Sequence, residues 1–342
     1  MFLKTLTEAF GVSGQEREVA NIIREHISPY CDVVETDALG NVIAIKNGNE
    51  DLPKVMLCAH MDEVGLMVMF IEQSGVLRFK SIGGIDPRVL VSKSVYVGKN
   101  RVPGVIGAKP IHLQKREEAN KPFDIDELFI DIGAKDKSEA EKVVNLGDGV
   151  IFTTQYEDIG TNRAKGKAFD DRVGCAILAD LLMTKKWDFT IQAVFSAQEE
   201  VGARGAQVSS YRLEPDIAIA FEGTTASDVP GSKEHLYSTS LGKGAAITHA
   251  DASFIADRKI VARFIEVANE KDIPYQMREL TAGGTDAGRI HLVREGIPAG
   301  VISVPTRYIH SPVSIIDKND FENTIKLMKA FLDSIEERGL PF

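Results

Sequence analysis

Four apolar segments of this chain each end at, or a few residues before, a side chain that can bind a metal ion. They are VMLCAH up to His60, IQAVFSAQEE up to Glu199 and Glu200, DIAIAFE up to Glu222, and AGVISVPTRYIH up to His310. Continuous runs rich in Val, Ile and Ala are typical of strands buried on both faces of a mostly parallel sheet. Ligands of such sheets bind outside the carboxyl ends of the strands, so the sequence predicts one site that these side chains share.

Asp170 is a further candidate, because it lies in the turn KAFDD just before DRVGCAILADLLM, whose apolar spacing predicts a helix. Histidines together with carboxylates suit zinc or a similar divalent ion. Each group alone is weak evidence, since a single His after an apolar run is usually a hydrogen-bonded core residue and a Glu pair is usually on the surface. Several polar groups at one buried edge are costly unless a cation or a hydrogen-bond network satisfies them, so their combination favours a metal centre.

Composition and charge exclude several classes of function. The 342 residues are 44% apolar and 26% charged, which indicates a soluble globular protein too long for one ordinary core. The formal net charge of −10 argues against binding nucleic acid, which needs basic patches. No segment predicts a membrane span, and the first residues lack a signal-peptide core. Cys31, Cys58 and Cys175 form no CxxC pair, which fits a reducing compartment, so we expect a cytoplasmic protein.

The chain changes character twice along its length. Strand-like and helix-like segments alternate at both ends, which predicts a doubly wound, mostly parallel α/β sheet. Between residues 70 and 160, short β-rich pieces such as VLRFKSI and SVYVG are separated by Gly, Pro and Asp, which predicts a small barrel or sandwich. Because His60 precedes this region and the other candidate ligands follow it, we expect 1–69 and 161–342 to form one catalytic domain into which 70–160 is inserted.

Two local patterns give sharper expectations. Ser13 and Glu16 precede a helical pattern with the spacing of a capping box, which predicts Ser13 as the N-cap of the helix. Successive side chains of a strand point to opposite faces, so Glu199 and Glu200 can face one site only if their strand ends before them.

The motifs AHMDEVG, KAFDDRVG, AQEEVGARGA, TAGGTDAG and IHSPVS, in this order and spacing, resemble those of the M42 family of dinuclear metallo-aminopeptidases. The resemblance covers nearly the whole chain, including the inserted region and its GGIDPR segment. It implies an enzyme that removes N-terminal residues from peptides and holds two divalent ions per subunit, Zn²⁺ or Co²⁺. It also implies dimers that assemble into a hollow tetrahedral dodecamer through contacts that include region 70–160.

The resemblance also implies a ligand set for the two ions. Asp170 would bridge both ions, His60 and Glu222 would complete one site, and Glu200 and His310 would complete the other. The family position that corresponds to Glu222 is commonly Asp, so the longer side chain is a departure that can alter the affinity of one site.

Further roles follow from the same resemblance. Glu199 would be the general base, and Asp62 would be the carboxylate that holds the imidazole of His60. The segment from Thr281 to Gly288 would line the substrate pocket, with Asp286 capping the helix that follows. An acidic substrate side chain would be favoured if nearby cations faced this pocket, the candidates being Lys243, Arg278 and Arg307.

Three other functions remain open from the sequence. A carboxypeptidase or amidohydrolase of the related M20 type would use a similar dinuclear centre. A glycosidase would need two carboxylates about 5 to 10 Å apart and no metal. A non-catalytic oligomeric scaffold is a third interpretation, which the presence of Glu199 beside a full ligand set argues against.

Overall fold

The apolar runs that precede the candidate ligands form the centre of a large sheet in this protein. The structure is a computed structural model and describes residues 2–115, 121–279 and 283–342. The sheet begins with β1 (Val33–Thr36), β2 (Val42–Lys46) and β3 (Lys54–His60). A separate barrel follows, formed by β4 (Gly65–Ile71), β5 (Leu77–Ile82), β6 (Ser94–Val97), β7 (Val102–Gly107), β8 (Phe129–Asp131) and β9 (Gly149–Phe152).

The chain then returns to the sheet. The later strands are β10 (Glu157–Ile159), β11 (Arg163–Gly166), β12 (Thr190–Ser196), β13 (Ile217–Thr225), β14 (Ala245–Thr248), β15 (Tyr275–Arg278), β16 (Ala299–Arg307) and β17 (Ser314–Asp317). The helices are α1 (Phe2–Glu8), α2 (Arg17–Ile27), α3 (Lys137–Ala140), α4 (Phe169–Thr184), α5 (Arg204–Leu213), α6 (Arg258–Glu270), α7 (Ala287–Ile290) and α8 (Lys318–Arg338).

The central strands of the sheet are parallel, and most of the strands outside them pair antiparallel, although β14 and β15 pair parallel. Strands β12, β3, β13 and β16 run side by side in the same direction, whereas β1, β2, β17, β11 and β10 pair antiparallel outside them. Ser196 lies opposite His60 in the register, so the carboxyl ends of β12 and β3 lie side by side. The parallel strands are almost fully buried, as their continuous apolar sequences predict.

Helices cover both faces of this sheet. Helices α4 and α6 both contact α8 and form one group, whereas α5 and α7 contact each other and form the other. The α5 and α7 side is the face to which Cys58 and Ser196 point, because both side chains donate hydrogen bonds to Asp286 at the start of α7. The predicted doubly wound α/β architecture is therefore confirmed.

The strands from Gly65 to Phe152, most of which lie in region 70–160, form a closed antiparallel barrel. Its strands follow the order β4, β5, β8, β7, β6, β9 and close on themselves, and they enclose their own apolar core around Leu66, Phe79 and Ile130. Closure removes free strand edges from the barrel wall. The fold class predicted from the sequence, an α/β sheet with a barrel-like insertion, is confirmed. In the described part of the chain, none of the helices combines the length and apolar character needed to cross a membrane.

Candidate metal centre

The fold brings all the candidate ligands to one end of the parallel strands. His60 is the last residue of β3, Glu200 follows the end of β12, and His310 follows the end of β16. Asp170 lies at the start of α4, where its backbone is not yet helical. Glu222 is inside β13 rather than at its end, because that strand continues to Thr225, so the sequence interpretation was wrong on this detail.

Two groups of side chains could each hold a metal ion, and they share one residue. His60, Asp170 and Glu222 form the first group, and Asp170, Glu200 and His310 form the second, with the ligand atoms of each group within 4.8 Å of one another. Asp170 divides its oxygens between the two groups. Its Oδ1 lies 3.4 Å from His60 Nε2, and its Oδ2 lies 3.4 Å from His310 Nε2. This is the arrangement expected of a carboxylate that bridges two ions.

The glutamates complete the two groups at similar distances. Glu222 Oε2 lies 3.5 Å from His60 Nε2, and Glu200 Oε2 lies 3.4 Å from His310 Nε2. The second oxygen of Glu222 accepts a hydrogen bond from the backbone N–H of Asp286 at 3.2 Å, so only one oxygen faces the group. The second oxygen of Glu200 is buried without a hydrogen-bond partner among the described residues. A cation would satisfy such an atom, so the residues present fit two divalent ions.

Backbone carbonyls fix which nitrogen of each imidazole faces the carboxylates. Nδ1 of His60 lies 3.1 Å from the carbonyl oxygen of Asp62, and Nδ1 of His310 lies 2.9 Å from that of Gly84. A carbonyl oxygen only accepts, so each Nδ1 carries a proton and donates it. The lone pair of each Nε2 is then available for a metal ion.

Gly84 belongs to the inserted region, in the loop between β5 and β6. The insertion therefore supplies a contact to the candidate metal centre, and Gly84 was not among the site residues that the sequence predicted. The sequence feature that could have indicated this contact is the GGIDPR segment, which begins at Gly83 and was noted as part of the family resemblance.

Asp62 organises more of the site than the predicted contact with His60. Its Oδ1 lies 3.5 Å from His60 Nδ1 and accepts from the backbone N–H of Glu199 at 2.9 Å. Its Oδ2 accepts from the backbone N–H of Glu200 at 3.1 Å and from the hydroxyl of Ser13 at 2.6 Å. One buried carboxylate thus touches both a candidate metal ligand and the turn that carries the two glutamates.

Glu199 lies in the cavity but outside both ligand groups. Strand β12 ends at Ser196, as the need for both glutamates to face one site predicts. Gln198 then adopts a left-handed backbone conformation with a φ of 59°, and the chain turns. Glu199 Oε2 lies 4.0 Å from His60 Nε2, near the first group and not part of it. Its carboxylate is therefore placed to exchange a proton with a molecule bound at the centre.

Burial controls the protonation of the glutamates. Burial raises the pKa of Glu222 to about 8 and that of Glu200 to about 7, although the neighbouring imidazoles lower both. Burial also raises the pKa of Glu199 well above its ordinary value. Burial acts in the same direction on Asp170, but hydrogen bonds from His310 and His60 outweigh it and lower the pKa of Asp170.

The two imidazoles respond to the carboxylates in the opposite direction. Burial alone would lower the pKa of His310, but Asp170 and Glu200 raise it to about 9. Burial likewise opposes the charged form of His60, and its carboxylate neighbours nonetheless raise its pKa well above the ordinary value. Without a metal ion the centre therefore retains protons that the bound ions would have to displace.

Two capping predictions were wrong. Ser13 does not cap α2, since its hydroxyl donates to Asp62 and the helix begins at Arg17 with Glu16 in the N-cap position. The side chain of Asp286 does not cap α7 either, because its carboxylate accepts from Ser196 and from Cys58 beneath the site. In both cases a tertiary contact replaced the local one that the sequence spacing suggested.

A cavity of about 760 Å³ opens beside the candidate ligands and could hold a substrate. Arg278, Gly283 and Thr285 are among its lining residues. Arg307 pairs instead with Asp228 at 2.6 Å, and Lys243 is not among the described residues that line the cavity. Thr281 and Ala282, at the start of the TAGGTDAG motif, lie outside the described residues.

Comparison with known proteins identifies the class of this fold and site. A sequence model described as M42 glutamyl aminopeptidase matches residues 40–327. The lysyl aminopeptidase of Pyrococcus furiosus is 34% identical over 341 residues, which cover 98% of this chain and 96% of that protein.

Solved structures agree with the sequence match. A TET aminopeptidase from a marine sediment Thaumarchaeota archaeon has a TM-score of 0.95 at 39% identity, covering 98% of this chain and 96% of that one. The TET1 peptidase of Pyrococcus horikoshii, described as able to assemble into a tetrahedron or a large octahedral shell, has a TM-score of 0.86 at 31% identity, covering 97% and 98%. The chain belongs to the M42 peptidase family. It is an enzyme, a hydrolase of the aminopeptidase type, as the sequence motifs predicted.

Proposed function

We propose that this protein is a dinuclear metal-dependent aminopeptidase that releases single residues from the free N-terminus of peptides. The division of the Asp170 oxygens between His60 and His310 carries the proposal, because it gives two adjacent ion sites one shared ligand. Zn²⁺ or Co²⁺ suits a set of imidazole and carboxylate ligands. His60 and Glu222 would hold one ion with Asp170, and Glu200 and His310 would hold the other.

Glu199 and Asp62 have separate roles in the proposed hydrolysis. When bound, two divalent ions would anchor the free amine of the substrate, polarise the scissile carbonyl and lower the pKa of a water molecule. Glu199 accepts the proton of that water and passes it to the leaving amine. Asp62 holds the backbone of Glu199 and Glu200 and lies against the imidazole of His60, which keeps base and ligands in one arrangement.

A peptide panel tests this function and its metal dependence together. We expect the protein with Zn²⁺, Co²⁺ or Mn²⁺ to cleave free and C-terminally amidated peptides, and N-acetylated peptides to resist cleavage because their amine is blocked. Chelation should abolish hydrolysis while circular dichroism keeps its α/β signal, and added metal should restore activity.

The outcomes separate the alternatives. Equal cleavage of acetylated and free peptides would overturn the aminopeptidase assignment. A requirement for a free C-terminus would favour an M20-type carboxypeptidase. Full activity in thoroughly metal-free protein would exclude the dinuclear mechanism.

We also propose that the enzyme works as a cytoplasmic homo-oligomer in which the inserted domain, residues 70–160, makes subunit contacts and dimers assemble into a dodecamer. Support comes from large apolar side chains that the barrel exposes, among them Phe70, Val105 and Leu146, and from the assembly described for the P. horikoshii TET1 peptidase. The unpaired cysteines fit a reducing compartment. Light scattering should give the mass of a dimer or a dodecamer, and a monomer at every metal and protein concentration would refute the assembly.

A further inference from the structure

The turn from Ala197 to Glu200 is held by side chains that are distant in the sequence. Each of its successive backbone N–H groups donates to a side-chain oxygen. Asn41 Oδ1 accepts from Ala197 at 2.8 Å, and Glu16 Oε1 accepts from Gln198 at 3.1 Å. The carboxylate of Asp62 accepts from Glu199 and Glu200 at 2.9 and 3.1 Å. Side-chain acceptors therefore satisfy all four backbone N–H groups of the turn, although the turn belongs to no helix or strand.

Gln198 is the residue of this turn whose conformation most needs support. Its φ of 59° is left-handed, which costs a residue with a side chain roughly 1 kcal/mol. At Gln198 the chain leaves the strand geometry in which successive side chains point to opposite faces. The next two side chains, Glu199 and Glu200, therefore both line the cavity at the candidate metal centre. Whatever fixes the Gln198 backbone also fixes the direction of the proposed base.

Glu16 contacts this backbone directly. Its side chain is only 6% exposed although it is a glutamate, and its position before α2 does not explain this, because it makes no side-chain hydrogen bond to cap that helix. Instead Oε1 accepts from the backbone N–H of Gly14 at 2.6 Å and from that of Gln198 at 3.1 Å. One oxygen thus joins the segment before α2 to the turn that carries Glu199.

We propose that Glu16 is a positioning residue for catalysis, which acts through the backbone of Gln198 to aim Glu199 at the substrate. This inference rests on the proposed function, in which Glu199 is the base. A displacement of about 1 Å in a reacting group can reduce the rate of reaction by about a hundredfold. Loss of the acceptor at residue 16 should therefore lower kcat far more than it changes KM, because the base acts only in the transition state.

Two substitutions of Glu16 separate positioning from general stability. Glu16→Gln keeps an oxygen that can accept both N–H groups, whereas Glu16→Leu has a similar size and no acceptor. With two metal ions bound per subunit, we expect Glu16→Leu to lower kcat by about ten- to a hundredfold with KM within about twofold of the parent. Glu16→Gln should retain kcat within about threefold, since it conserves the hydrogen bonds.

Gln192→Leu is the matched control. Gln192 lies in β12, the strand that leads into the turn, and donates one buried hydrogen bond to the carbonyl of Leu213 at 2.9 Å. Its loss should lower stability without lowering kcat. The inference is overturned if Glu16→Leu keeps the parental kcat, if Glu16→Gln loses as much as Glu16→Leu, or if Gln192→Leu loses kcat equally.

Hydrogen exchange provides a test that needs neither activity nor the Leu variant. In the metal-free parent, the amide of Gln198 should exchange at least tenfold more slowly than that of Gly231, which lies in an exposed turn, and Glu16→Ala should remove this protection. Equal exchange at the two amides would overturn the inference even if Glu16→Leu does not fold. An inactive parent enzyme with a protected Gln198 amide would contradict the proposed function and not the contact.

Discussion

Two clusters of buried charge lie side by side in this protein, and they are neutralised in different ways. In the first, which we call the internal ion cluster, Glu63 accepts from Lys167 Nζ at 2.6 Å and from the Arg172 guanidinium at 3.2 Å. All three side chains are almost fully buried. Arg172 also donates to the carbonyl oxygens of Leu6, Met61 and Gly11. Here the chain supplies its own cations for its carboxylate.

The metal centre is different, although Asp170 lies between Lys167 and Arg172 in the sequence. Its carboxylates contact the imidazoles of His60 and His310, which carry a positive charge only while they hold an extra proton. Burial raises the pKa of Glu200 to about 7 and that of Glu222 to about 8. By contrast, burial lowers the pKa of Lys167 only to about 8, which leaves it mostly charged at neutral pH. The contrast indicates that the carboxylates of the candidate metal centre, unlike Glu63, lack a permanent cation from the chain and would be stabilised by external ones.

The largest effect on kcat is expected for Glu199, whose carboxylate lies at the candidate metal centre but outside both ligand groups. Glu199→Gln should retain both metal ions and lose about two to four orders of magnitude in kcat, because it removes the general base. His310→Ala should instead lose metal, which elemental analysis of the purified protein measures. If Glu199→Gln lost its metal and kept its rate per bound ion, the roles of Glu199 and Glu200 would have to be exchanged.

The next effect concerns the internal ion cluster. Glu63→Gln leaves the buried Lys167 and Arg172 without their carboxylate, so the free energy of unfolding should fall by about 3 to 5 kcal/mol. Denaturant unfolding of the metal-free protein measures this. The control is Glu157→Gln, which breaks an exposed pair with Lys165 and should cost less than about 1 kcal/mol. Equal losses in the two variants would show that the internal ion cluster does not depend on self-neutralisation.

The smallest effect is a pH dependence confined to the metal centre. In metal-free protein the pKa of Glu222 is raised from 4.5 to about 8 and that of His310 from 6.5 to about 9. Between its unfolded and its folded pKa, each group binds more protons in the folded state than in the unfolded state. The two groups therefore stabilise the fold at low pH, and this contribution is lost as the pH rises through about 8 for Glu222 and about 9 for His310. Bound ions need the deprotonated ligands.

The stabilisation that Zn²⁺ provides should therefore grow from pH 6 to pH 8. Thermal unfolding with and without Zn²⁺ at pH 6, 7 and 8 measures the increment in Tm, and we expect a rise of a few degrees. An increment that is constant or largest at pH 6 would contradict the assignment of these residues as ligands. The Glu63→Gln variant should show the same increments as the parent, since its cluster lies outside the centre.

Much of the centre was predictable because its residues follow long apolar runs. Such runs predict buried parallel strands, and parallel strands bring the residues after them to one edge, so the sequence alone places His60, Glu200 and His310 together. The barrel was predictable because short β-rich segments alternate with turn residues between residues 70 and 160. These predictions depend on periodicity, which a single sequence contains.

The errors have a different physical origin. The spacing of Ser13 and Glu16 is that of a capping box, but both side chains bond to partners more than forty residues away, Asp62 and Gln198. A local pattern cannot show when a distant group offers a better partner. Glu222 was misplaced at a strand end because the polar residue interrupts the apolar run, whereas the hydrogen-bonded ladder continues to Thr225.

The hydrogen bond from His310 to the carbonyl of Gly84 has a consequence for protein engineering. A domain inserted between two strands would ordinarily be a detachable module that a short linker could replace. Here, deletion of the barrel would remove the acceptor that fixes the tautomer of a proposed metal ligand. The insertion is therefore not modular. A shortened chain that retained a folded sheet would still leave the Nδ1 of His310 without its acceptor, so any minimal version of this enzyme must keep the loop between β5 and β6.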